Sequence, residues 1–167
     1  MPGKTDTSGI HLWLVLMKAH QSLERYAWHS IGQTGLGFSD FAVLETLLHM
    51  GPSPVNILGA GIPLTSGSMT AAIDRLERRH LVRRGVDSAD RRARIVHLTA
   101  EGRRLIETAF HDHQAAMEIA AESVTPAERA ILIRLLKKWG KATLEKLDSS
   151  PQKGEPHVWT TGKHRSR

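Results

Sequence analysis

A mainly α-helical chain carrying one small β-hairpin is the fold that three observations predict. Apolar residues recur at three- and four-residue steps along most of the chain, which is the period of an amphipathic helix. That period lapses once, after His80, where two short alternating segments flank residues 87–93. Two further long helical segments then follow.

From residue 10 to about residue 31, Leu12, Leu16, Ala19, Leu23, Ala27 and Ile31 mark one face of a long helix, with Ser8 placed to cap it. A breaker at 32–37 precedes a second helix opened by Ser39, which carries Phe41, Val43, Leu44, Leu47 and Leu48 and stops at Gly51-Pro52. Ser53-Pro54 has the form of a cap followed by proline at the first helical position, so 54–60 reads as a short third helix weakened by Gly59. Gly61-Ile62-Pro63 makes a tight connector into a fourth helix that runs to Arg79, with Thr65 or Ser66 near its cap. Segments 81–86 and 94–98 read as strands, too far apart for a two-residue turn but suited to a longer hairpin. Thr99 restarts the helical period, which lasts to about Glu122. Thr125 and Glu128 have capping-box spacing ahead of a last helix with Ile131, Leu132, Leu135, Leu136, Trp139 and Leu147 on its apolar side.

Composition narrows the function. With 167 residues, 40% of them hydrophobic, the chain can bury one modest core. A formal charge of +6 favours an anionic partner such as nucleic acid. The absence of cysteine removes disulfides, thiolate nucleophiles, cysteine-based zinc sites and thiol redox sensing together. The longest early apolar run, 12–17, is too short for a secretory signal or a membrane span, so no membrane partner and a cytoplasmic location are expected.

Two short helices joined by a tight glycine-containing turn and followed by a basic hairpin make a winged helix-turn-helix. On a wheel of the fourth helix, Met69, Ala72, Ile73 and Leu76 gather on the side that packs inward. The other side shows Gly67, Thr70, Ala71, Asp74, Arg75 and Arg78. Small groups at Gly67 and Ala71 let such a helix sit deep in a major groove. Thr65, Ser66, Ser68 and Thr70 bring hydroxyls to its N-terminal end, where the helix dipole also favours a phosphate. Arg75 and Arg78 lie one and two turns further on, within reach of phosphate or guanine. The hairpin tip, with Arg91, Arg92 and Arg94, suits a wing that puts a guanidinium into a narrow minor groove, and Asp90 can hold one arginine in place or simply close the turn. A solvated basic face would explain the arginines by charge alone, but their concentration along one turn-helix-wing pattern favours double-stranded DNA.

The motifs "LTSGSMTAAIDRLERRHLVRR" at 64–84 and "DSADRRARIVHLTAEG" at 87–102 resemble the MarR family of bacterial and archaeal transcription regulators. The resemblance is specific over 38–105, and the flanking helices agree in order and length. It implies that Asp90 and Arg92 take the positions of the wing aspartate and minor-groove arginine, and that Ser66, Ser68, Thr70 and Arg75 fall on the recognition-helix contact surface. Ala71 departs from the basic residue found there in many members. The resemblance also implies an intertwined helical dimerisation region, a palindromic operator, repression of a neighbouring gene and release by a small ligand. The expected organisation is a flexible tail at 1–9, a dimerisation helix at 10–36, the winged domain at 37–100, dimerisation helices at 101–147 and a flexible basic tail at 148–167.

The dimer has a second argument in the apolar surface of the terminal helices, which exceeds what a small DNA-binding domain can cover by itself. Family members bind aromatic acids between the dimer core and the winged domain. Trp13, Met17, His20 and Trp28 lie along that side of the first helix, with His20, Arg25 or Arg78 as the cation for an anionic effector. The same stripe also reads as core packing. No cofactor is expected, because there is no Walker or Rossmann glycine pattern, and Thr65 to Ser68 read as a cap and phosphate contacts rather than as an enzyme's nucleophile. His20 and Glu24 share a helix face whereas His111 and His113 do not, so no metal site is expected, with a metal-responsive regulator kept as an alternative. The other alternative is an architectural protein that binds DNA without sequence preference.

Overall fold

A computed structural model of the chain describes residues 6–59, 64–86 and 94–149. The connector at 61–63, the hairpin tip at 87–93 and the tail from 150 onward lie outside the described residues. The chain divides between Glu122 and Ser123 into two compact units.

The first unit begins with α1, Gly9–Gln33, whose Ser8 hydroxyl accepts the His11 N–H at 3.3 Å. After a turn through Gly35 comes α2, Phe38–Met50, with Gly37 rather than a side chain at its cap. Ser39 therefore does not open the helix; it sits within the first turn, with its hydroxyl engaged elsewhere. Gly51 ends α2 at φ 78° and ψ −169°, a conformation open essentially to glycine alone.

Ser53 and Pro54 correct the expected third helix. They form β1, Ser53–Pro54, a two-residue strand pairing antiparallel with Val96 and Ile95, and only Val55–Leu58 are helical, as α3. Proline has no N–H to give a central strand, and β1 lies at the edge of the β1-β3-β2 sheet, where that lack is tolerated. The fourth helix, α4, spans Ser66–Arg78 with Thr65 as its cap. Strands β2, Val82–Val86, and β3, Arg94–Leu98, pair antiparallel from Val82 with Leu98 to Val86 with Arg94, as the hairpin reading required. The last helix of this unit is α5, Ala100–Ala120, capped by Thr99.

Phe41, Leu44 and Leu47 of α2, Leu58 of α3, Ile73 and Leu76 of α4, Val82 and Val96 of the sheet and Ile106 of α5 form a continuous buried core. Burial of each such side chain stabilises by about 1.5–3 kcal/mol, so this core fixes how α4 and the hairpin sit on α2. Gly102 lets α5 start directly beneath the sheet, since a Cβ there would lie 1.9 Å from the Leu81 carbonyl oxygen.

The second unit carries α6, Pro126–Asp148. Thr125 and Glu128 form the capping box read from sequence, with the Thr125 N–H donating to Glu128 Oε2 at 2.9 Å. None of the residues of α6 is buried. Among the described residues no helix is long and apolar enough to cross a membrane.

Candidate nucleic-acid interface and ligand pocket

The two faces of α4 separate as the wheel requires. Met69, Ala72, Ile73 and Leu76 are buried, while Ser66, Gly67, Ser68, Thr70, Ala71 and Asp74 are exposed. Thr65, expected at the interface, spends its hydroxyl on the helix end. Its Oγ1 accepts the Ser68 N–H at 3.1 Å and donates to Ser68 Oγ at 2.9 Å. Ser68 keeps its own hydroxyl proton to offer. Thr70 Oγ1 donates back to the Ser66 carbonyl at 3.1 Å and presents its methyl and lone pairs outward.

The arginines of α4 are held differently from one another. Arg78 is exposed, its Nε donating to the Asp74 carbonyl at 3.3 Å. Arg75 is clasped to α2, with Nη2 2.6 Å from Asp40 Oδ1 and 2.9 Å from Ser39 Oγ, and Nε 3.2 Å from the same carboxylate oxygen. Asp40 is 6% exposed, so the guanidinium satisfies a carboxylate that water barely reaches. The expected reader of bases is thus also a strut between two helices. Sequence reasoning missed Asp40, whose signal was a carboxylate beside Phe41 in the first turn of a mostly apolar helix.

Arg84 of β2 fixes α4 to the sheet by bonding the carboxylates of Asp74 and Glu77, and its own N–H donates to Glu77 Oε1 at 3.0 Å. Its pKa is raised, chiefly by the bond to Asp74. On β3, Arg94 is exposed, and His97 lies opposite Arg83, its ring over Gly85, where a Cβ would stand 3.0 Å from Nε2. Burial, and second the charge of Arg83, holds His97 below its ordinary 6.5. Asp90, Arg91 and Arg92 lie outside the described residues.

The first unit also contains a cavity of about 660 Å³ lined by α1, α2 and α5. It takes in His20 and Trp28 from the expected ligand set but not Trp13, Met17 or Arg25. On α1 the lining runs from His20 to Ile31 at three- and four-residue steps. Trp13 and Met17 continue that stripe beyond the part that α2 closes, and Arg25 points off it by the 100° turn per residue. The half of the lining missed from sequence comes from the other helices and includes Phe38, Phe41, Glu45 and His49 of α2 and His113 of α5. Trp28 and Phe38 stand 5.8 Å apart as tilted rings, Phe41 meets His113 edge-on at 5.3 Å, and His113 Nδ1 lies 2.7 Å from Ser30 Oγ. Arg78, the other cation expected near an effector, is absent from the lining. No group of three or more His, Asp or Glu side chains among the described residues is arranged to hold a metal.

The sequence model of the MarR family matches residues 39–93, the segment from α2 to the residue before β3. The HTH-type transcriptional regulator MhqR of Bacillus subtilis (strain 168) is 33% identical over 131 residues, 78% of this chain and 90% of its own length. Among solved structures, that of the Bordetella bronchiseptica regulator BpsR, whose DNA binding is regulated by 6-hydroxynicotinic acid, is 26% identical with a TM-score of 0.67 over 84% of this chain and 98% of its own. A mutant MarR from E. coli complexed with operator DNA superposes with a TM-score of 0.68 at 24% identity, covering 77% of this chain and 93% of that one, a likeness of fold.

Proposed function

The chain belongs to the MarR family of DNA-binding transcriptional regulators, and from that premise we propose that it acts as a homodimer that holds a palindromic operator and leaves it when a small aromatic effector enters the α1–α2–α5 cavity. The observation that carries the DNA reading is the division of α4. One face is fully buried against the core, and the other offers small groups, hydroxyls and arginine next to the sheet, with its one exposed carboxylate, Asp74, bonded to Arg84. Ser66, Ser68, Thr70 and Arg78 are the contacts we assign to a major groove, Arg94 to the flanking backbone, and Asp90, Arg91 and Arg92 to the wing's minor-groove contact.

Homodimerisation is supported by apolar side chains that the single chain leaves in water. Leu12, Trp13, Leu14 and Val15 of α1 are about half exposed, and so are Ile131, Leu132, Leu135 and Leu136 of α6. Large apolar side chains left exposed in such clusters mark interfaces. Two-fold symmetry then sets the α4 helices one helical turn of DNA apart, about 10 bp. Effector control is supported by α2, whose first turn lines the cavity with Phe38 and Phe41 and holds Arg75 of α4 with Ser39 and Asp40. A ligand that shifts that turn shifts the recognition helix with it.

The test is a footprint on the intergenic DNA beside the protein's own gene, against random duplex at matched salt. Protection of an inverted repeat, lost in Arg92→Ala while the dimer persists by sedimentation, is the expected result. Equal affinity for both duplexes would replace the operator model with an architectural, sequence-indifferent binder.

A further inference from the structure

The cavity's fixed charges are of one sign. In a chain of net charge +6, the cavity is lined by two carboxylates, Glu24 and Glu45, and by no lysine or arginine among the described residues. Neither carboxylate has a hydrogen-bond or ion-pair partner among the described residues, and both are half-buried. The Thr46 hydroxyl donates its proton to the Ala42 carbonyl at 2.8 Å, leaving lone pairs for a ligand. The imidazoles of His20, His49 and His113 and the indole of Trp28 add N–H donors, so what sets the walls apart is that their two carboxylates face no lysine or arginine, among the rings of Trp28, Phe38 and Phe41.

We propose that this cavity takes a small aromatic molecule that carries hydrogen-bond donors, phenolic hydroxyls or a protonated amine, and no negative charge. The proposal rests on the reading of the cavity as the effector site and narrows its ligand class. An aromatic carboxylate entering here would leave water for the company of two like charges, with no fixed cation to offset either. A ring-borne hydroxyl or ammonium would instead donate to them, a charge-assisted bond roughly twice as strong as a neutral one. The volume, about 660 Å³, lies within the range of small-molecule sites.

Three probes that share one phenol ring and a two-carbon arm separate the cases: tyramine ends in an ammonium, 4-hydroxyphenylethanol in a hydroxyl and 4-hydroxyphenylacetate in a carboxylate. Titration calorimetry on the full chain is expected to give dissociation constants for the amine and the alcohol at least about tenfold below that of the acid. Glu24→Gln/Glu45→Gln is expected to bring the amine level with the alcohol while the thermal midpoint stays in place. Glu24→Gln alone, a single isosteric change, should narrow the gap part of the way should the double variant fold poorly. Preference for the acid overturns the ligand class and leaves the effector cavity standing. No binding by any of the three at millimolar concentration overturns both.

Discussion

A carboxylate as buried as Asp40 is costly to the fold unless a cation stays beside it, and that cation is Arg75. Replacing Arg75 should consequently cost stability in the absence of DNA. Loss of hydrogen bonds to a charged group costs about 1.5–3 kcal/mol, and the Arg75 side chain, 43% exposed and so partly screened by water, places the loss towards the low end. Arg75→Ala is thus expected to lower the urea midpoint of the free protein, whereas Arg78→Ala, which removes an exposed side chain, should leave it in place and weaken only DNA binding. Equal midpoints for Arg75→Ala and the parent would remove the strut from the account. His97 sets a second expectation. Its folded pKa lies below the unfolded 6.5, so between those two values the unfolded chain binds more protons than the folded one. The stability it permits is complete above about pH 6.5 and declines as pH falls towards the folded pKa. His97→Gln should flatten the thermal midpoint between about pH 7 and pH 5, and a slope equal to the parent's would assign the acid sensitivity to other groups.

Junctions between elements decide where one substitution becomes two different experiments. At Gly102, α5 begins so close to the end of α4 and the start of β2 that the Leu81 carbonyl, already accepting from the Thr99 N–H at 3.1 Å, has no room for a methyl. Gly102→Ala should destabilise by about 1–3 kcal/mol, the usual cost of overpacking. Gly140→Ala within α6 meets nothing within 4 Å and should stabilise by roughly 0.5–1 kcal/mol through helix propensity. Denaturant melts of the two variants, moving in opposite directions, test whether close approach rather than glycine's flexibility matters at 102. The same contrast explains what the sequence made legible. Ser8 and Thr125 cap helices as read, because a cap is settled by the next three residues. Ser53-Pro54 misled because that dipeptide suits a cap and an edge strand equally, and the choice is made by β3, far along the chain. The inward and outward faces of α4 followed from periodicity alone. The α2 half of the cavity did not, since nothing local to Glu45 or His49 says that α1 stands opposite.

At the scale of the whole molecule, two observations converge on assembly. The first unit has a complete core, while α6 buries none of its residues and carries an apolar side of the kind that marks interfaces. If a second copy covers it, charges placed on that side should split the dimer without touching the core around α4. Ile131→Glu/Leu135→Glu alters two residues a helical turn apart and about half exposed. Sedimentation should report a monomer. Operator affinity should fall by about 10²–10⁴-fold, because the second half-site is no longer held near the first by a tether. The salt dependence makes the prediction sharper, since the slope of log K against log salt counts the phosphates neutralised and a lone winged domain neutralises about half as many as a pair. A monomer with half the slope is the expected result. A variant that remains dimeric would move the interface off this side of α6, and a monomer that keeps the full slope would mean that one chain already makes every phosphate contact, leaving two-fold symmetry with no part in DNA recognition.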